Sequence, residues 1–122
     1  MTQPILIVED DETVRAFSVA VLKAEGHEVL TAASVDEARR IIADQPPGAA
    51  LCLIIDVVLD RESGIHFAQE LIKAHPTFRI LLISGFTEDV VMTEPEDVAR
   101  IGFLHKPFTR LEFAAAIAKM CS

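Results

Sequence analysis

Leu51-Cys52-Leu53-Ile54-Ile55-Asp56 is a run of apolar residues closed by a carboxylate. Apolar throughout rather than alternating, it reads as a strand buried on both faces, and such strands belong to parallel sheets covered by helices. Upstream, Ile5-Leu6-Ile7-Val8 has the same character and runs into Glu9-Asp10-Asp11. Downstream, Arg79 to Ser84 reads as a fourth strand and Gly102 to His105 as a short fifth. His27 to Ala32 is the second.

Helical spacing fills the gaps. Val14, Phe17, Val21 and Leu22 mark a helix from Glu12 to Glu25, with Gly26 as its stop. Ser34 with Glu37 makes a capping box opening a helix to about Asp44, and Thr109 with Glu112 opens a final one to about Met120. A helix from about Ile65 to Ala74 ends before Pro76. Strand and helix therefore alternate five times, an α/β pattern implying a parallel sheet with helices on both faces. Right-handed crossovers then put the C-terminal ends of all strands on one edge, where ligands of such folds bind.

The 122 residues suit one domain over 1–122, and no effector domain is expected. The net charge of −8 argues against direct nucleic-acid binding, which needs a basic face. No apolar run reaches the roughly 18 residues of a membrane span. Met1-Thr2-Gln3-Pro4 lacks a signal peptide's basic region, so a cytoplasmic protein is expected. Cys52 and Cys121 are expected to be reduced thiols.

The polar residues at the strand ends carry the chemistry. They are Glu9-Asp10-Asp11, Asp56, Ser84-Gly85 and His105-Lys106-Pro107. Each has a plain reading alone: acids can cap the next helix, an aspartate or Ser-Gly can make a turn, and a lysine can be a loop charge. Together they say more. If the first and third strands are neighbours, Asp10 and Asp56 converge and repel unless a cation lies between them. An oxygen-only, partly open site favours Mg²⁺. A hydroxyl and an ammonium from the last two strands suit the oxygens of a phosphoryl group.

These motifs, with Gly64 eight residues after Asp56 and Phe103-Leu104-His105-Lys106-Pro107-Phe108, resemble the receiver signature of response regulators over essentially the whole chain. The resemblance implies a flavodoxin-like, doubly wound, five-stranded parallel sheet of order 2-1-3-4-5. It implies Asp56 as phospho-acceptor, with Mg²⁺ held by Glu9, Asp10, Asp56 and the backbone carbonyl of Val58. It also implies Ser84 as switch hydroxyl, Lys106 as charge partner of the phosphate, Phe103 as switch aromatic, and a cis Lys106-Pro107 peptide. The partners it implies are a histidine kinase or phosphotransfer protein as donor and a downstream protein target. The protomer would be a monomer or weak dimer.

The chain departs from the family pattern in places. Asp60 replaces the usual proline four residues after Asp56 and is expected to tune the site without binding the ion. The resemblance implies that Val58 and Phe86 flank the path of an attacking water; both are apolar and cannot orient one, which predicts slow self-dephosphorylation. Pro95 falls where the fourth helix would be in mid-course, and Thr93 with Glu96 offers a new start. That helix is therefore expected from about Glu94 to Arg100. Asp11 is expected to be a helix cap or a solvated charge rather than a ligand, and His66, His75 and His105 to be surface or packing residues. Two alternatives stay open: a small Mg²⁺-dependent aspartyl-phosphate phosphatase, although those carry Asp-x-Asp on the first strand, and a receiver fragment of a hybrid histidine kinase.

Overall fold

A computed structural model describes residues 4–59, 62–85 and 100–121. In chain order the elements are β1 (Ile5–Val8), α1 (Glu12–Ala24), β2 (Val29–Ala32), α2 (Val35–Ala43), β3 (Cys52–Asp56), β4 (Val58–Leu59), β5 (Glu62–Ser63), α3 (Gly64–Ala74), β6 (Arg79–Ser84), β7 (Ile101–His105) and α4 (Arg110–Cys121). The main sheet is parallel with order β2-β1-β3-β6-β7, the expected 2-1-3-4-5 arrangement. The antiparallel pair β4 and β5 is an addition that the apolar pattern did not signal. The fourth helix expected around Pro95, and the places of Phe86 and Asp60, lie outside the described residues.

The apolar strands divide their side chains between two layers. Leu6, Val8, Leu53, Ile55, Ile80 and Leu82 point into a core with α2 and α3. Ile5, Ile7, Cys52, Ile54, Leu81 and Ile83 point the other way, against α1 and α4. Both faces are covered, so no alternation of polar and apolar residues survives in the sequence.

The helix ends follow their capping residues. The Asp11 carboxylate accepts from the Val14 N–H at 3.0 Å, and Ser34 Oγ accepts from the Glu37 N–H at 3.1 Å. At α4 both arms of the capping box close, Thr109 N–H to Glu112 at 2.9 Å and Glu112 N–H to Thr109 at 3.1 Å. Helix α1 ends in a Schellman motif: Gly26 sits at φ 86°, its N–H donates to the Lys23 carbonyl, and His27 N–H donates to the Leu22 carbonyl.

The cysteines correct an expectation. Cys52 and Cys121 are joined as a disulfide, with Cα atoms 5.6 Å apart, a separation ordinary for such a bond. The start of β3 and the last turn of α4 lie in the same layer. They are 69 residues apart along the chain, so only the packing of α4 over the sheet reveals the pair.

Candidate functional site

The sheet register sets the site. Val8 pairs with Ile55, so Glu9, one residue further, arrives level with Asp56. Asp56 pairs with Ile83, and Ser84 pairs with His105. The ends of β1, β3, β6 and β7 therefore meet at one edge, as expected. A cavity of about 450 Å³ lined by Arg39, Ile42, Pro46, Glu70 and Phe78 lies between α2 and α3 and includes none of these residues.

Asp56 is buried, at 8% exposure. Its Oδ1 accepts from the Val58 N–H at 2.9 Å and its Oδ2 from Lys106 Nζ at 3.0 Å. The half-exposed ammonium neutralises the carboxylate while leaving it reachable from solvent. Gly64 explains how β3 and α3 come so close behind it. A Cβ at Gly64 would collide with the Asp56 carbonyl oxygen, and the Gly64 N–H donates to the Val57 carbonyl at 2.9 Å. The glycine eight residues after the aspartate is thus a steric requirement.

Glu9 is also buried. Its Oε2 accepts from the Asp11 N–H at 3.3 Å, and its carbonyl accepts from Arg15 Nη1 at 2.8 Å. Burial, the Asp10 side chain and the negative charge of Asp56 push the Glu9 carboxyl up to about 7. Asp10 is exposed. Asp11 is spent on the α1 cap, as the sequence reading expected.

Among the described residues, no three His, Cys, Asp or Glu side chains are gathered closely enough to hold a metal by themselves. The donor chemistry nevertheless fits Mg²⁺. The acids are oxygen donors, and Glu9 is raised first by its burial and then by crowding against Asp10 and the charge of Asp56. A small hard cation that accepts a backbone carbonyl and waters as further ligands relieves that crowding.

On the other side, Ser84 is fully buried and its carbonyl accepts from the Lys106 N–H at 2.7 Å. Its Oγ lies 2.8 Å from His105 Nδ1. Phe103 is half-buried against the layer that holds α2 and α3. The Lys106-Pro107 peptide is cis. Sequence reasoning set His105 aside for want of metal-ligand spacing. Its signal was positional: the last residue of one strand faces the last residue of the next.

Residues 5–118 match the response regulator receiver domain family. This chain belongs to that family. The sensor kinase CckA of Brucella abortus is 34% identical over 95% of the chain, and the match spans 12% of that protein. A putative NtrX-like response regulator of Rickettsia bellii is 26% identical over 96% of the chain and is matched over 24% of its length. The crystal structure of Brucella abortus NtrX superposes with a TM-score of 0.77 at 27% identity, covering 98% of this chain and 27% of that one. The chain thus spans between 12% and 27% of the length of these relatives. Vibrio cholerae CheY4 shares the fold alone, with a TM-score of 0.78, 23% identity and nearly complete cover of both chains, 98% and 99%. The protein is a receiver domain of two-component signalling, a class of phospho-accepting switches rather than turnover enzymes. Among the described residues, no helix is long and apolar enough to cross a membrane.

Proposed function

We propose that this receiver domain takes a phosphoryl group on Asp56 and thereby changes a surface read by a partner protein. The observation that carries the reading is Asp56 itself: buried at a strand end, one oxygen on Lys106 Nζ, with the raised Glu9 carboxyl beside it. In the transfer, an Asp56 carboxylate oxygen forms a bond to phosphorus while the donor's bond to phosphorus breaks. With a phosphohistidine donor that bond is P–N, and the imidazole leaves. The donor is a histidine kinase or phosphotransfer protein.

Glu9, Asp10, Asp56 and the Val58 carbonyl would hold Mg²⁺, which neutralises charge on the phosphoryl oxygens when bound. Lys106 adds its ammonium to the same oxygens, and the Ser84 hydroxyl donates to one of them. Phe103 shares its face of the sheet with Ser84 and turns inward as Ser84 moves toward the phosphoryl group. Val58, with 58% exposure, presents an apolar side chain beside the acceptor, so no group there orients a water for hydrolysis. Self-phosphorylation from small phosphodonors and slow loss of the phosphate follow. The partner is a protein rather than nucleic acid, given the net charge of −8. A cytoplasmic location belongs to the same reading.

CckA, a sensor kinase by name, is matched over only 12% of its length. This favours a second reading in which such a domain receives phosphate within a longer kinase; the length of the native gene product decides between the two. For the chemistry itself, intact-mass measurement after exposure to acetyl phosphate and Mg²⁺ is the test. One added phosphate mapping to Asp56, and none in Asp56→Ala, is expected. No added mass on the wild-type chain would overturn the assignment.

A further inference from the structure

Ser84 and His105 are register partners across β6 and β7. Side chains alternate along a strand, so His105 shares a face with Phe103 and Ile101, while Ser84 shares the same layer with Leu82 and Ile80. The serine side chain is fully buried, and its Oγ is 2.8 Å from the imidazole Nδ1. A neutral imidazole with its proton on Nε2 offers Nδ1 as an acceptor, and the hydroxyl then donates its only proton there.

That arrangement conflicts with the signalling state. Phosphoryl oxygens accept hydrogen bonds and have none to give, so Ser84 can engage a phosphorylated Asp56 only by turning its proton away from Nδ1. We propose that His105 is the resting-state partner of the switch hydroxyl and, through this bond, opposes the move to the phosphorylated arrangement. His105 acts through Ser84 and touches no reacting atom; it is a positioning residue. The inference rests on Asp56 being the acceptor.

An imidazole is well suited to the task. A stronger acceptor such as a carboxylate would hold the hydroxyl too tightly and add negative charge beside an incoming phosphate. An apolar residue would leave a buried hydroxyl without this acceptor. His105 is exposed at its outer side, so replacing it removes little core packing.

The test is a titration with beryllofluoride, a phosphoryl mimic, in the presence of Mg²⁺, followed by amide NMR shifts near Asp56. His105→Phe keeps the ring and loses the acceptor. It is expected to bind beryllofluoride roughly two- to tenfold more tightly than wild type, the range of one hydrogen bond's net worth. His105→Asn, which keeps an acceptor, should fall between them. In a Ser84→Ala background the gap between His105 and Phe should vanish. Equal affinities of wild type and His105→Phe overturn the role of His105, as does a gap that survives Ser84→Ala. Nitrogen-15 shifts of the resting protein give a readout independent of the acceptor: Nδ1 is expected bare, and a protonated Nδ1 overturns the inference. Failure of the wild type to bind beryllofluoride, with Nδ1 bare, strikes instead at Asp56 as acceptor.

Discussion

β1 and β3 deliver Glu9 and Asp56 to the site, both buried acids, whereas β6 and β7 deliver Ser84, His105 and Lys106, a set of hydrogen-bonding and cationic groups. In the first pair, burial and then the neighbouring acids Asp10 and Asp56 hold Glu9 up at about 7. The second pair carries the only cation seen on Asp56 among the described residues, and a hydroxyl already committed to a neighbour. In the proposed function, one side of the site attracts a cation and a phosphoryl group, and the other registers that the phosphoryl group has come. The two sides meet where Lys106 Nζ donates to Asp56 Oδ2.

Removing that contact should have the largest effect. Lys106→Ala is expected to slow phosphate incorporation from acetyl phosphate by about 100-fold, the scale of one lost donor at a transferring group. Rates within twofold of wild type would show that the donor side plays no part in the chemistry.

The acid side makes a prediction in pH. Glu9 has its folded value raised from 4.5 to about 7. Its contribution to stability is therefore fully present below 4.5 and is lost as pH rises through about 7. The metal-free protein should lose on the order of 2 kcal/mol across that window. Glu9→Gln should flatten the slope, and Mg²⁺, which favours the ionised acid, should oppose it. Urea unfolding with and without a chelator measures all three. A slope unchanged in Glu9→Gln would assign it to another group.

The neighbouring acids should separate cleanly. Asp11→Ala removes the α1 cap and should cost about 1 kcal/mol of stability without weakening Mg²⁺ binding. Asp10→Ala should do the reverse. Equal loss of Mg²⁺ affinity in both would show the ligand assignment to be wrong. The smallest effect is expected at Val58→Asn, where an amide could orient water. Phosphate loss should quicken several-fold, and an unchanged decay would leave the apolar side chain without a kinetic role.

Much of the fold was legible because its determinants are local. Apolar runs gave the strands of the main sheet to within two residues. Ser34, Thr109 and Gly26 marked helix ends through bonds that span only a few residues. The strand-end residues were legible as a set because parallel crossovers force them to one edge. The Cys52–Cys121 pair and the Ser84–His105 bond were not. Each depends on which residues face one another across elements 69 or 21 positions apart, and no periodicity within one element contains that information. The β4–β5 pair escaped because two-residue strands are too short to show a pattern.

The two-sided strands have a mechanical consequence for Asp56. Cys52 and Ile54 point to one layer, Leu53 and Ile55 to the other, so β3 behaves as a toothed rack engaged on both flanks. It cannot creep by a fraction of a residue. The smallest slip is one tooth, about 3.3 Å, and it would turn every apolar side chain into the wrong layer. Asp56 is thus positioned by a ruler graduated only in whole residues, and the packing that locks the ruler lies below the site it sets.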